Sequence, residues 1–154
     1  MRLTQALLGE HAVFGPLFDH LEAVVPQAES AGGVRALGAL LAAPLASHAH
    51  LEDELLFRSL EAVMETRMGP VAVMRMEHEQ IEGGLERLPQ IDDVDSARRT
   101  LLHVVATARD HFAKEEQVLF PLAAQLLGVE SLEALGRRWA EARAVVEAEA
   151  PACA

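Results

Sequence analysis

The chain has 154 residues, enough for one domain with a real core, and its 51% hydrophobic and 24% charged content is that of a globular protein. A formal net charge of −11 repels phosphate backbones and argues against nucleic-acid binding. The single cysteine, Cys153, allows no disulfide within the chain, the N-terminus lacks the apolar run of a signal peptide, and no stretch reaches the roughly 18 apolar residues of a membrane span; a soluble cytoplasmic protein without membrane partners is expected.

Richness in Ala, Leu, Glu and Arg favours helix throughout. Leu3, Leu7, Leu8, His11, Phe14, Phe18, Leu21 and Val25 form a helical stripe over residues 3–25. Pro26 and the run Ser30-Ala31-Gly32-Gly33 read as a loop, and a second helix is expected from Val34 to Met64. A third starts at Gly69-Pro70 and ends near Leu88-Pro89. A fourth runs from Ser96 to Leu127 with Gly128 as its cap, and a fifth from Ser131 to Ala150 before Pro151. This predicts an all-α fold: an up-down-up-down four-helix bundle over residues 1–127, with an additional C-terminal helix and tail (128–154) packed on the same domain. Pro16 and Pro44 fall inside predicted helices and are expected to bend them, either to shape the bundle ends or to aim nearby side chains.

A weak internal repeat organises the polar residues. His48–Phe57 reads HAHLEDELLF and His111–Phe120 reads HFAKEEQVLF, so that His48 aligns with His111, Glu52 with Glu115 and Phe57 with Phe120. The first and third helices carry Glu10-His11 and Glu77-His78 at matching points. In each His-x-x-x-Glu pair the two side chains lie about 40° apart around the helix, on one face. That face is apolar, flanked by Leu41, Leu45, Leu55 and Leu56 in one case and by Val104, Ala108, Leu119 and Leu122 in the other. A carboxylate turned toward a core is costly unless it is paired or bound to metal. The distance from His11 to its helix end, about 21 Å at helical rise, matches that from the start of the second helix to His48. Antiparallel packing therefore brings His11, His48, Glu52, His78, His111 and Glu115 to one layer. Four imidazoles and two carboxylates suit two cations of the iron, manganese or zinc type. Other templates fail: no histidine has a Glu three residues before it, as ferritin-like di-iron bundles require, and His78-Glu79 lacks the second histidine of a zincin.

These signatures, Glu10-His11, His48-x-x-x-Glu52, Glu77-His78 and His111-x-x-x-Glu115-Glu116-x-x-Leu119-Phe120-Pro121, resemble the hemerythrin-like family of HHE cation-binding domains over roughly residues 3–127. The resemblance implies two iron ions with an oxo or hydroxo bridge, His11 and His48 on one iron, His78 and His111 on the other, and Glu52 and Glu115 bridging. The oxygen carriers of that family place a second histidine on the third helix, where this chain has Met74; the segment Gly69–His78 is similar to a bacterial subgroup with one histidine there. Met74, a soft and weak donor, is expected to form a pocket wall, leaving the second iron an open position, and Ala108 to leave the ligand pocket roomy. His20, His50 and His103 are expected at the surface or behind the ligands. The expected partner is a small ligand, oxygen, nitric oxide or peroxide, bound for sensing, carriage or scavenging by a monomer or weak homodimer. A di-iron peroxidase or oxidase, and an iron-handling or iron-centre repair protein, are the alternatives.

Overall fold

The computed structural model describes residues 1–64 and 69–145. Within them the chain is helical almost throughout. Helix α1 (Leu3–Val24) and α2 (Ala31–Leu51) form one antiparallel hairpin, and α2 continues through a π-helical turn (Glu52–Phe57) into the short α3 (Arg58–Val63). Helix α4 (Pro70–Arg87) and α5 (Val94–Lys114) form a second hairpin, and α5 continues through another π-helical turn (Glu115–Leu119) into α6 (Phe120–Ala142). This is the expected all-α bundle. The repeat extends further than the sequence suggested. The first hairpin turns through a 3₁₀ segment, Val25-Pro26-Gln27, the second through Leu88-Pro89-Gln90, and both π-helical turns begin at the aligned glutamates.

Several boundaries differ from the expectation. Gly32 and Gly33 belong to the first turn of α2 rather than to a loop, because the Ser30 hydroxyl accepts from the Gly33 amide at 3.1 Å. Helix α5 likewise starts at Val94, ahead of Ser96, where the Asp93 carboxylate accepts from the Ser96 amide at 2.8 Å. Gly128 does interrupt the final helix, with φ at +73°, but the helix resumes at once. The expected end of this helix at Ala150, with Pro151 and Cys153, lies outside the described residues. Pro16 and Pro44 are both exposed within α1 and α2, so the backbone bonds they remove face outward.

The apolar core is split in two. One part, around Phe14, Phe18, Leu41, Leu85, Leu101 and Val104, fills the end with the hairpin turns. The other, around Leu3, Leu7, Leu56, Leu60, Leu119 and Leu132, fills the opposite end, where α6 docks on α1. The docking is close: a β-carbon on Gly136 would stand 2.2 Å from the Met1 carbonyl oxygen. Met74 packs in this second core with Leu3 and Leu7. The run Val94–Ala142 is long and apolar enough to cross a membrane by length and composition; here it carries the Glu115 turn and supplies core side chains to both ends of the bundle.

Candidate metal centre

Between the two cores lies a polar layer. His11, His48, Glu52, His78, His111 and Glu115 are the only buried polar or charged residues among the described ones, and both glutamates are 0% exposed. Each sits one turn or so from core side chains on its own helix, which is why the apolar periodicity carries it inward. Glu52 Oε1 lies 3.2 Å from His48 Nε2 and 3.9 Å from His11 Nε2, and its Oε2 lies 3.3 Å from His78 Nε2 and 4.0 Å from His111 Nε2. Glu115 Oε2 lies 3.3 Å from His11 Nε2, and its Oε1 3.4 Å from His111 Nε2. The Nε2 atoms of His78 and His111 face each other at 2.9 Å. The donor atoms fall into two groups, His11-His48-Glu52-Glu115 and Glu52-His78-His111-Glu115, each within 4.8 Å, with both glutamates shared.

Nε2 of His11 and His48, both oxygens of Glu52, both of Glu115, and Nδ1 of His78 are buried without a hydrogen-bond partner. One such atom costs about 1–3 kcal/mol, so a cluster of them is a place built for something else. Two imidazoles and two carboxylates per group make a mixed nitrogen and oxygen donor set that suits cations of the iron, manganese or zinc type.

Around this layer runs a ring of carboxylates that sequence reasoning did not assign. Glu10 on α1 bonds Nδ1 of His48 on α2 at 2.5 Å. Glu77 on α4 bonds Nδ1 of His111 on α5 at 3.0 Å. Glu116, after α5, bonds Nδ1 of His11 on α1 at 2.9 Å. Asp53, after α2, faces Nδ1 of His78 on α4 at 3.7 Å, an ion-pair distance. Each helix thus supplies an acid to the histidine of the next, and the chain of contacts closes on itself. Such carboxylates fix ring orientation and leave Nε2 free for a metal. The acids are themselves held: Glu10 accepts from Trp139 Nε1 (3.0 Å) and Arg143 Nε (2.7 Å), Asp53 from Arg75 (2.7 Å), and Glu77 from Lys114.

The electrostatics follow from this crowding. Burial opposes charge on His48, but Glu52 beside it and Glu10 at its Nδ1 push its pKa up to about 10. Burial opposes charge on His78 too, and Asp53 and Glu52 raise it to about 9. His111 is also raised, by Glu115 against burial. Glu52 is held well below the usual carboxylate range because His48 and His78 outweigh its burial. Glu10 and Glu77 are lowered against their own burial, Glu10 by His48 and Arg143, Glu77 by Lys114 and His111.

The sequence model of the Hemerythrin HHE cation binding domain matches residues 2–123. The chain belongs to this family. A second, overlapping match over residues 70–148 begins at α4, as a repeated hairpin would produce. No curated protein and no solved structure matches the chain. Family and geometry together make the buried layer a candidate cation-binding site with histidine and glutamate donors. In this HHE domain His20, His50 and His103 are exposed and stand apart from the layer. Two expectations need correction. Ala108 is packed in the first core, and the alanine beside the histidines is Ala49. Met74 packs in the second core and is not among the residues lining the cavity beside Ala49.

Proposed function

We propose that this HHE domain holds two iron ions, one at His11 and His48 and one at His78 and His111, with Glu52 and Glu115 shared between them, and that it binds a small ligand there (oxygen, nitric oxide or peroxide) for sensing, carriage or scavenging. The observation that carries the reading is the pair of overlapping four-donor groups, in which Nε2 of His11 and His48 and all four oxygens of Glu52 and Glu115 are buried without a hydrogen-bond partner. When bound, the irons supply redox chemistry and coordination positions that the protein leaves unfilled. The chain's own residues do the rest. Glu10, Glu77, Glu116 and Asp53 orient the imidazoles, the two apolar cores keep bulk water from the layer, and the shared carboxylates offset the cationic charge.

A cavity of about 10 Å³ against the layer supports a small ligand. Leu45, Ala49, Ile81 and Phe112 line it together with His48, His78 and His111, and the exposed Glu82 borders it. That space takes something on the order of one water or a diatomic.

A peroxidase is the second reading, and Glu82 is the observation in its favour. Glu77 and Glu116 are engaged with His111 and His11, whereas Glu82 borders the cavity without holding a ligand and is placed to take or give a proton. Anaerobic reconstitution with ferrous iron, followed by spectra on adding oxygen, tests the proposal. About two irons per chain, lost in His48→Ala and His111→Ala, is the expected result; wild-type protein that takes up no iron sinks it. A band that reverses under argon supports carriage. Irreversible oxidation followed by peroxide turnover that falls in Glu82→Gln supports the enzyme.

A further inference from the structure

Three of the outer carboxylates are braced in turn, and the brace on Glu10 differs in kind from the other two. Glu77 is held by Lys114 of α5 and Asp53 by Arg75 of α4, so each of those braces comes from a helix that already carries a ligand of the layer. Glu10 is held from the far end of α6, which carries none. Trp139 Nε1 donates to Glu10 Oε1 at 3.0 Å, and Arg143 Nε donates to the same oxygen at 2.7 Å. The other oxygen, Oε2, accepts from Nδ1 of His48 at 2.5 Å. One carboxylate thus joins α6 to a ligand. The Arg143 amide donates to the Trp139 carbonyl at 2.9 Å, one helical turn, so the two side chains leave the same face. Arg143 also donates to the hydroxyl of Ser47, the residue before His48. Gly136, one turn before Trp139, lies against the backbone of Met1 and Arg2, and this close approach lets α6 run near enough to α1 for the indole to reach Glu10.

We propose that Trp139 and Arg143 are positioning residues for the His11/His48 metal position: acting through Glu10, they hold the His48 imidazole in the orientation that binding needs, and the His78/His111 position does not depend on them. The inference rests on the two-metal reading above and adds α6 to it as a working part of one position. A carboxylate anchored through one oxygen cannot swing away, so the other stays on Nδ1, fixes the tautomer and the ring plane, and leaves Nε2 facing the layer. Without those donors the carboxylate turns toward solvent and the imidazole can rotate about its ring torsion. The His78/His111 position keeps its own braces, supplied by α4 and α5 themselves.

Calorimetric titration of the metal-free, full-length protein with Co²⁺ tests this. Wild type is expected to take up two Co²⁺ per chain. In Trp139→Phe, which keeps an aromatic ring and removes the donor, and in Arg143→Met, one Co²⁺ is expected to bind about tenfold or more weakly while the other keeps its affinity, as losses of outer partners do. Arg143→Lys, which restores a cationic donor, is expected to recover part of the loss. Lys114→Met, the mirror change at Glu77, is expected to weaken the other Co²⁺, so that Lys114→Met with Trp139→Phe weakens both. In a Glu10→Ala background, Trp139→Phe should change nothing further. Affinities that stay intact while the melting temperature falls mark a merely structural role and overturn the proposal. So does an equal loss at both positions, or a further tenfold loss when Trp139→Phe is added to Glu10→Ala. Arg143 stands at the helix end with its side chain 25% exposed, so Arg143→Met carries the test should Trp139→Phe fail to fold. Failure of the underlying reading looks different, because the wild-type chain would then take up fewer than two Co²⁺ before any variant is made.

Discussion

Loading the site with metal should expel protons, and the number follows from the geometry. His48 and His78 have their pKa values raised to about 10 and about 9, two to three units above neutrality, so both carry a proton at pH 7 in the metal-free protein. Glu52 is already ionised, held low by those same histidines, and releases none. A metal ion needs each imidazole neutral at the coordinating nitrogen. Filling both positions at pH 7 therefore releases two protons, from His48 and His78. Each displaced proton makes the binding constant rise about tenfold per pH unit, so the overall two-metal constant should rise about a hundredfold per unit between pH 6 and 8. Calorimetric titration with Mn²⁺ or Co²⁺ in buffers of different ionisation enthalpy measures the proton count directly. Release of fewer than one proton, or affinity that is flat with pH, would refute the reasoning. Stability of the metal-free form should move the other way. A histidine raised from 6.5 stabilises the fold fully below 6.5 and loses that contribution as pH climbs toward 9 and 10. A glutamate lowered from 4.5 stabilises above 4.5 and loses its contribution in acid. The melting temperature of the metal-free protein should therefore be highest near pH 4.5–6.5 and fall on the alkaline side, where the metal-loaded protein tightens.

Glycine substitutions separate three physical cases. Gly136→Ala forces a β-carbon against the backbone of Met1 and Arg2 and should cost about 1–3 kcal/mol, read by thermal or denaturant melts. Gly9→Ala, in an exposed part of α1 with nothing within 4 Å, should stabilise by about 0.4–1 kcal/mol in the same assay. Gly128→Ala, at φ +73°, meets no clash yet should still cost about 1–3 kcal/mol, from backbone strain alone. In the first core, Leu101→Ala removes a fully buried side chain and should cost about 2–5 kcal/mol without changing the number of metals bound per folded chain.

Much of this was legible in the residues. The apolar stripe of each helix carries His11, His48, His78 and His111 inward, and the aligned His-x-x-x-Glu pairs place both glutamates in the same layer. The outer carboxylates were in view but not readable as such. An acid adjoins a ligand four times, at Glu10-His11, Glu52-Asp53, Glu77-His78 and Glu115-Glu116. Neighbours on a helix point about 100° apart, so each acid serves a histidine on the next helix, and that depends on which helices lie side by side. Trp139 and Arg143 reach Glu10 across 129 and 133 residues, beyond any local pattern. Ser30 and Asp93 set helix starts by capping, a signal present in the residues but outweighed by the Gly-Gly that follows Ser30. The π-helical turns have no periodic signature of their own.

The ring of acids and histidines has a topological consequence for exchange with solvent. A closed loop cannot be parted at one point. Any motion that separates the four helices into two groups severs at least two of its links. Parting α1–α2 from α4–α5, for example, breaks both the Glu116–His11 and the Asp53–His78 contacts, and Arg75–Asp53 with them. A hydrogen bond to a charged group is worth about 1.5–3 kcal/mol and the 3.7 Å Asp53–His78 contact less, so opening works against pairs of contacts rather than against the weakest one alone. Whatever cation occupies the layer is hooped in. A cation held in the layer would leave only when the hoop breaks in two places at once.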